Sequence, residues 1–582
     1  MTIWFLNDLA RLNVEREAAA DLQSEADWLI GSHWYLGKGL QLDATIRVRG
    51  REFDITLEYP DHFPFAPPIA RPTTAGETWS THQYPDGTLC LEWGPDNWHN
   101  DVTGADMLIS AHRLLTTERP NTDERTVVAP SRHCLTIGQE LRGKYGRFCT
   151  TASLRSHCSE MPVGTFGQLE FSLQLHRHCS AIIATKLFSN DGQVWEDPEV
   201  PAGLKSSSIR GIFCKVSDTT TAVGTFSNRS DLQECVGKYG CSLEGSLEEG
   251  TNSGTVFVLI IDYQGTIDAY WIPNGDDCVY PEREVQSAST LSNPRLNFNC
   301  EDHEDFKIGI VGVGSVGSKI AVSLARHGFR NYVLVDPDVL CAENLVRHQF
   351  DWRSVGDHKA DAAASAIELL VPDAAIKISK LHLTGQESNT ALSGILDSLS
   401  KCDLLIDATG DDSVFNLLSA VSMFGEVPLV WGQVFEGGFG GLIARSRPGK
   451  DPTPNKMRQL FLGYCHEHPF PQHEGSTSYA GIVDGKTMVA GDVDVTVIAT
   501  HMAGLTVDTA IGAEPSRYPN SMYLVGLSRG WVFESPFHTI PLSDSSLSEV
   551  APKLNASDEA VQDGVKFIAE LLSHAQNKDS HP

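Results

Sequence analysis

Lys307–Lys359 reads KIGIVGVGSVGSKIAVSLARHGFRNYVLVDPDVLCAENLVRHQFDWRSVGDHK. The apolar run Ile308–Val311 predicts a strand. Gly312, Gly314 and Gly317 then predict a tight turn into a helix, and a second strand ends on Asp336. A strand, a glycine turn, a helix and a distant acid are what a nucleotide needs: close backbone for phosphate and a carboxylate for ribose. Asn344, Arg347 and Lys359 follow Asp336. A hydride-transfer enzyme has no use for that Arg and Lys. An enzyme that neutralises a triphosphate and expels pyrophosphate does.

The order GxGxxG, Asp, NxxR, VGxxK resembles the adenylation domain of ubiquitin-activating enzymes and their bacterial ThiF/MoeB-type relatives. That resemblance implies a Rossmann-like fold, ATP with Mg²⁺, and a homodimer. It implies that Gly312, Gly314 and Gly317 approach ATP through backbone amides and that Asp336 holds the ribose. Asn344, Arg347 and Lys359 would surround the phosphates. The segment DLLIDAT, Asp403–Thr409, predicts another strand leading to Gly410, Asp411 and Asp412. The family's Mg²⁺-associated Asp falls at the slot occupied here by Gly410. Asp411 is the favoured metal ligand, with Asp407 and Asp412 left open.

The chain has 582 residues, with 45 Lys plus Arg against 75 Asp plus Glu, a formal charge of −30. Such a balance argues against a direct nucleic-acid surface. No apolar run reaches membrane-span length, and the start MTIWFLNDLARLNVERE lacks a signal peptide's basic-then-apolar order, so a cytoplasmic protein is expected. The 13 cysteines include no CxxC pair. That fits free thiols in a reducing compartment and predicts no structural zinc.

Near the N-terminus, Asn7–Ile30 predicts an amphipathic helix, and Ile46 and Glu52–Tyr59 lie in alternating strands. Pro-rich YPDHFPFAPP follows, then THQYPDGTLCLEWGPDNWHNDVT, Thr81–Thr103, and a helix near Thr103–Leu115. This order is similar to ubiquitin-conjugating enzymes, α+β proteins. The resemblance makes Cys90 the nucleophile and Trp98 a structural residue. It also exposes a departure: the family's His-Pro-Asn is missing, since Gln83 follows His82. His82 would keep a structural role, and the oxyanion donor is open among Asn97, His99 and Asn100.

From Phe166 to Cys300 the chain alternates apolar and polar residues between Gly, Ser and Asp clusters, which predicts a β-rich linking domain. His176, His178 and Cys179 would sit on a strand there, and a sheet face is favoured over a metal site. Beyond Asp412 the single cysteine is Cys465, in LGYCHEHPFPQHEG. The surrounding prolines predict a mobile loop, with His466 and His468 placed to lower the thiol pKa. A long helix is expected at Asp492–Ile511.

The chain therefore reads as three regions, 1–150 conjugating-like, 151–300 linking and 301–582 activating. This layout resembles the conjugating–activating fusions of bacterial CBASS antiphage operons. The resemblance implies adenylation of a protein C-terminal carboxylate, thioester transfer from Cys465 to Cys90, and ligation to a target lysine. The carried protein would be ubiquitin-like or a cGAS-like nucleotidyltransferase. The alternatives are an adenylating sulfur-transfer enzyme, or an activating enzyme whose conjugating-type domain only binds a partner.

Overall fold

In the computed structural model, residues 3–543 and 562–568 are described, apart from 38, 85, 119–135, 206–208, 218–225, 227, 244–255, 274–276, 287–304, 386, 470–479 and 484–485. The chain divides into two compact units, Met1–Arg142 and Gly143–Pro582.

The first unit is an antiparallel meander, β1 (Leu29–Leu36), β2 (Leu40–Val48), β3 (Arg51–Glu58) and β4 (Ile69–Pro72), in that order. Two helices, Leu9–Glu25 and Gly104–Glu118, pack with it around one core. The first helix is shorter than its periodicity predicts, because Leu29 and Ile30 already belong to β1. Leu9 is exposed and the buried positions are Glu15 and Ala19. Glu15 is buried because it ties three elements together. It accepts from Tyr59 Oη at 2.8 Å, Gly104 N at 2.7 Å and Arg11 Nη2 at 2.7 Å. Burial raises its pKa, and those donors oppose the rise.

In the second unit, β5 (Gly146–Thr150), β6 (Phe166–Leu175), β7 (Ser180–Ser189), β8 (Val194–Glu196), β9 (Ile209–Lys215), β10 (Val256–Ile261), β11 (Ile267–Ile272) and β12 (Tyr280–Gln286) form one sheet. β5 pairs with β12 on one side and β7 on the other, which closes the sheet into a barrel. β10 is buried on both faces: Phe257, Leu259 and Ile261 join one core, Val258 and Ile260 another. The expected boundary at residue 150 is corrected here. It assigns β5 to the first domain, whereas that strand completes the barrel. His176–Cys179 also moves: it is the turn between β6 and β7, closed by His176 N–H donating to Cys179 O at 2.9 Å.

The remaining large sheet runs β15-β14-β13-β16-β17-β18-β21-β22. Its strands are β13 (Lys307–Val311), β14 (Asn331–Val335), β15 (Ala375–Ser379), β16 (Leu404–Asp407), β17 (Leu429–Val434), β18 (Gly440–Ser446), β21 (Met522–Gly526) and β22 (Thr539–Pro541). A separate hairpin, β19 (Ala480–Val483) and β20 (Lys486–Val489), lies between β18 and β21 in the chain. Five strands are parallel, from β15 to β17, and each face is covered by helices. Ser315–Arg326, Lys359–Glu368 and Asp492–Ile511 cover one face, and Asn389–Ser400, Asp412–Gly425 and Pro454–Glu467 cover the other. β13 lies between β14 and β16, so the chain order reverses there and a crevice opens at the strand ends. Among the described residues no helix is long and apolar enough to cross a membrane.

Candidate functional site

At that crevice lies a cavity of about 360 Å³ lined by Gly312, Gly314, Asp336, Asp338, Asn344, Arg347, His348, Lys359, His382, Thr409 and Asp411, among others. The three glycines do different work. Gly312 has φ +83°, and a Cβ there would meet Thr409 Cγ2 at 2.8 Å. Gly317 does not line the cavity, contrary to its expected contact with ATP. A Cβ there would stand 1.9 Å from Gly312 O, so its glycine serves helix-against-turn packing. Gly314 has nothing within 4 Å of where its Cβ would stand. It caps the helix Ser315–Arg326, so open space sits at a helix N-terminus, where backbone amides favour phosphate.

Asp336 is buried, and burial raises its pKa. Its two oxygens accept from Val313 N at 2.6 Å and Asp338 N at 2.9 Å. The carbonyl of that same Val313 accepts from His348 Nε2 at 3.0 Å, while His348 Nδ1 accepts from Phe350 N at 3.4 Å. Burial pushes His348 down to about 4, so it is neutral with its proton on Nε2. His348 was missed in the sequence, although it directly follows Arg347. Val313 is thus held through both its N–H and its carbonyl, and with it the turn that faces phosphate.

Asn344 lines the cavity, and its Oδ1 accepts from Cys341 N at 2.9 Å. Arg347 has no ion-pair partner among the described residues. Lys359 Nζ rests on Asp338 at 2.8 Å, a pair whose carboxylate is 66% exposed and which a phosphate can outcompete. Asp411 caps the helix Asp412–Gly425, its Oδ1 accepting from Ser413 N at 2.7 Å and Val414 N at 3.0 Å. Its other oxygen makes no hydrogen bond among the described residues. That suits Mg²⁺, which keeps several waters and takes one or two carboxylates beside substrate phosphates.

A second cavity, about 390 Å³, is lined by Asp407, Gly410, Asp411, Asp412, Trp431, Phe435, Arg458, Phe461 and Cys465, among others. Asp411 lines both cavities. Asp407 is pushed up to about 6 by burial, against hydrogen bonds from Thr409. Asp412 pairs with Arg458, which also lies 5.0 Å over the Phe415 ring. Arg458 too went unnoticed in the sequence, since no motif surrounds it.

Residues 294–525 match the ThiF family model, and residues 167–280 match a domain observed between E2 and E1 domains. This chain carries a ThiF domain. Domains of this family use ATP, as the first cavity's amides and cations suit. The ATP-dependent ubiquitin transferase-like protein Cap2 of Enterobacter hormaechei is 38% identical over 121 residues, covering 21% of this chain and 19% of that protein. The adenylyltransferase and sulfurtransferase uba4 of Emericella nidulans is 27% identical over 241 residues, 41% of this chain and 46% of that protein. The chain thus spans less than half the length of these curated relatives. The crystal structure of E. coli MccB with ATP is 16% identical, covering 44% of this chain and 68% of that one, with a TM-score of 0.31.

Within the ThiF domain, Cys465 departs from expectation. It sits in the last turn of the helix Pro454–Glu467, not in a loop. Burial pushes its thiol up to about 11, and neither His466 nor His468 counters that. Pro471 and Gly475 lie outside the described residues.

In the first unit, Cys90 follows the short bridge between Gln83 and Leu89, and its N–H donates to His82 O at 2.7 Å. His82 Nε2 lies 3.9 Å from buried Glu118. Trp98 Nε1 donates to Pro64 O at 2.7 Å, bracing the segment after the cysteine. Asn97 is consumed by the loop: its Oδ1 accepts from Gly94 N and its Nδ2 donates to Glu92 O, both at 2.7 Å.

Proposed function

We propose that the chain activates the C-terminal carboxylate of a protein with ATP, passes it to Cys465, then to Cys90, and joins it to a lysine amine. The observation that carries this is Asp411, which borders both the phosphate cavity and the cavity of Cys465. A carboxylate activated in the first cavity needs only a short path to a thiol in the second. In this reading residues 1–142 conjugate, 143–300 link and 301–582 activate.

Arg347 and Lys359 would meet the phosphates and stabilise the charge that develops as pyrophosphate leaves. Asn344 would donate its amide, and Asp336 would take a ribose hydroxyl while fixing the glycine turn. Asp411 would hold Mg²⁺, which supplies charge neutralisation on the phosphates. Adenylation exchanges a poor leaving group for AMP. Cys465 displaces AMP to form a thioester, and Cys90 takes the acyl group by exchange. The name of the Cap2 relative supports protein conjugation, and the CBASS-like layout favours a cGAS-like nucleotidyltransferase as the carried protein.

The test is to trap the adduct. With Mg²⁺-ATP and such a carrier, Cys90→Ala should accumulate a reductant-sensitive adduct at Cys465 and form no amide. An adduct absent from both cysteines while ATP is cleaved would favour the sulfur-transfer reading. A charged Cys465 with an inert native Cys90 would favour a conjugating-type domain that only binds.

A further inference from the structure

The missing His-Pro-Asn leaves the acyl transfer at Cys90 without a donor for the oxygen that becomes negative. Asn97 is removed from contention by its two loop hydrogen bonds. His82 is turned to Glu118 behind the hairpin, with its side chain 14% exposed. His99 is drawn to Asp101 at 3.8 Å and packs edge-on to Trp93. Asn100 is exposed, and among the described residues it makes no hydrogen bond with Cys90; Tyr84 does, from the arm of the hairpin opposite the cysteine. Its hydroxyl donates to Cys90 Sγ at 3.9 Å.

The backbone that carries Tyr84 is fixed on all sides. Tyr84 N donates to Thr88 O at 2.8 Å, and Tyr84 O accepts from Gly87 N at 2.9 Å. Gly87 has φ +89°, which favours glycine. The preceding Gln83 side chain pins the hairpin base to Trp79 N, Glu77 O and Gly87 O. The phenol is 51% exposed, so an incoming acyl group has room beside it. Its pKa is raised, first by its hydrogen bond to Cys90, so it keeps its proton at neutral pH.

We infer that Tyr84 is a catalytic residue of the Cys90 transfer step, donating its hydroxyl to the thioester carbonyl oxygen as an amine attacks. This rests on the reading of Cys90 as an acyl carrier. The amine nitrogen bonds to the carbonyl carbon, and charge gathers on the oxygen facing Tyr84. The C–S bond then breaks, Cys90 leaves as thiolate, and the amine's proton passes to water. Long apo hydrogen bonds at such sites tighten on substrate. Losing one such donor costs roughly 10²-fold or more in rate.

The test charges Cys90 without ATP. A fluorescent peptide thioester of mercaptoethanesulfonate is exchanged onto the full chain, and the adduct absent from Cys90→Ala is followed as free lysine discharges it. Tyr84→Phe should discharge about 10²-fold more slowly with an unchanged melting temperature. Tyr84→Ala should be as slow as Tyr84→Phe. Native discharge by Tyr84→Phe overturns the inference, as does a Cys90 that takes no peptide. A slow Tyr84→Ala beside a native Tyr84→Phe also overturns it, because the ring and not the hydroxyl would then matter. Because ATP is bypassed, a chain that never adenylates yet shows Tyr84-dependent discharge loses the proposed activation and keeps this donor.

Discussion

Cys90 lies on a hairpin arm with a phenol 3.9 Å from its sulfur, in a unit whose hydrogen bonds fix that arm. Cys465 lies at the end of a helix, against a cavity walled by Trp431, Phe435 and Phe461, with its thiol pushed up to about 11. One thiol meets a polar group able to steady charge, and the other is partly buried, which suppresses its charge. The contrast suits two stages of one transfer. A thiol facing an acyl-adenylate has a strongly driven reaction and gains from staying neutral until its partner arrives. A thiol that must release its cargo to an amine needs help at the carbonyl.

The largest effect tests the order of the two thiols. Cys465→Ala should still release pyrophosphate with ATP and carrier, yet charge neither cysteine, read as loss of both adducts by mass spectrometry. Normal charging of Cys90 in that variant would break the comparison. Next come the cations of the phosphate cavity. Arg347→Ala and Lys359→Ala should each lower ATP–pyrophosphate exchange by about 10²-fold. Near-native exchange in both would return them to structure. A smaller effect concerns the resting thiol. With a pKa near 11, about one Cys465 in 10⁴ is thiolate at pH 7. Iodoacetamide should therefore label Cys465 about tenfold or more slowly than the exposed Cys341.

The smallest effect separates chemistry from scaffold. Glu282, on β12 of the barrel, is pushed up to about 7 by burial, and its Oε2 has no hydrogen-bond partner among the described residues. Its folded pKa lies above its unfolded one. The folded state therefore loses stability as pH rises from about 4.5 to 7 and stays lower above that. Glu282→Gln should stabilise the protein at pH 8 by on the order of 1 kcal/mol, discounted for partial exposure, and give no gain at pH 4. Thermal unfolding at both pH values checks this. A pH effect on transfer that survives in Glu282→Gln does not arise from this barrel carboxylate.

The sequence announced what repeats at fixed spacing. The run Lys307–Val311, its glycines and Asp336 were legible because a nucleotide turn constrains residues that are close in the chain. The helix Asp492–Ile511 appeared at its expected bounds. Contacts between distant segments were not legible. His348 acts on Val313, Glu15 on Gly104, and nothing local marks either pair. Tyr84 was hidden differently: it is near Cys90 in sequence, but only the hairpin turns it toward the sulfur. Cys465 was placed in a loop because prolines flank it, whereas Pro454 opens a helix, a position where proline is well tolerated.

The short strand Gly146–Thr150 has a practical consequence for anyone cutting this chain apart. It is the last stave of the barrel, seated between Tyr280–Gln286 and Ser180–Ser189. A fragment begun just after Thr150 leaves both neighbours with bare edges ready to pair with other molecules, whereas one begun at Gly143 carries its own closure.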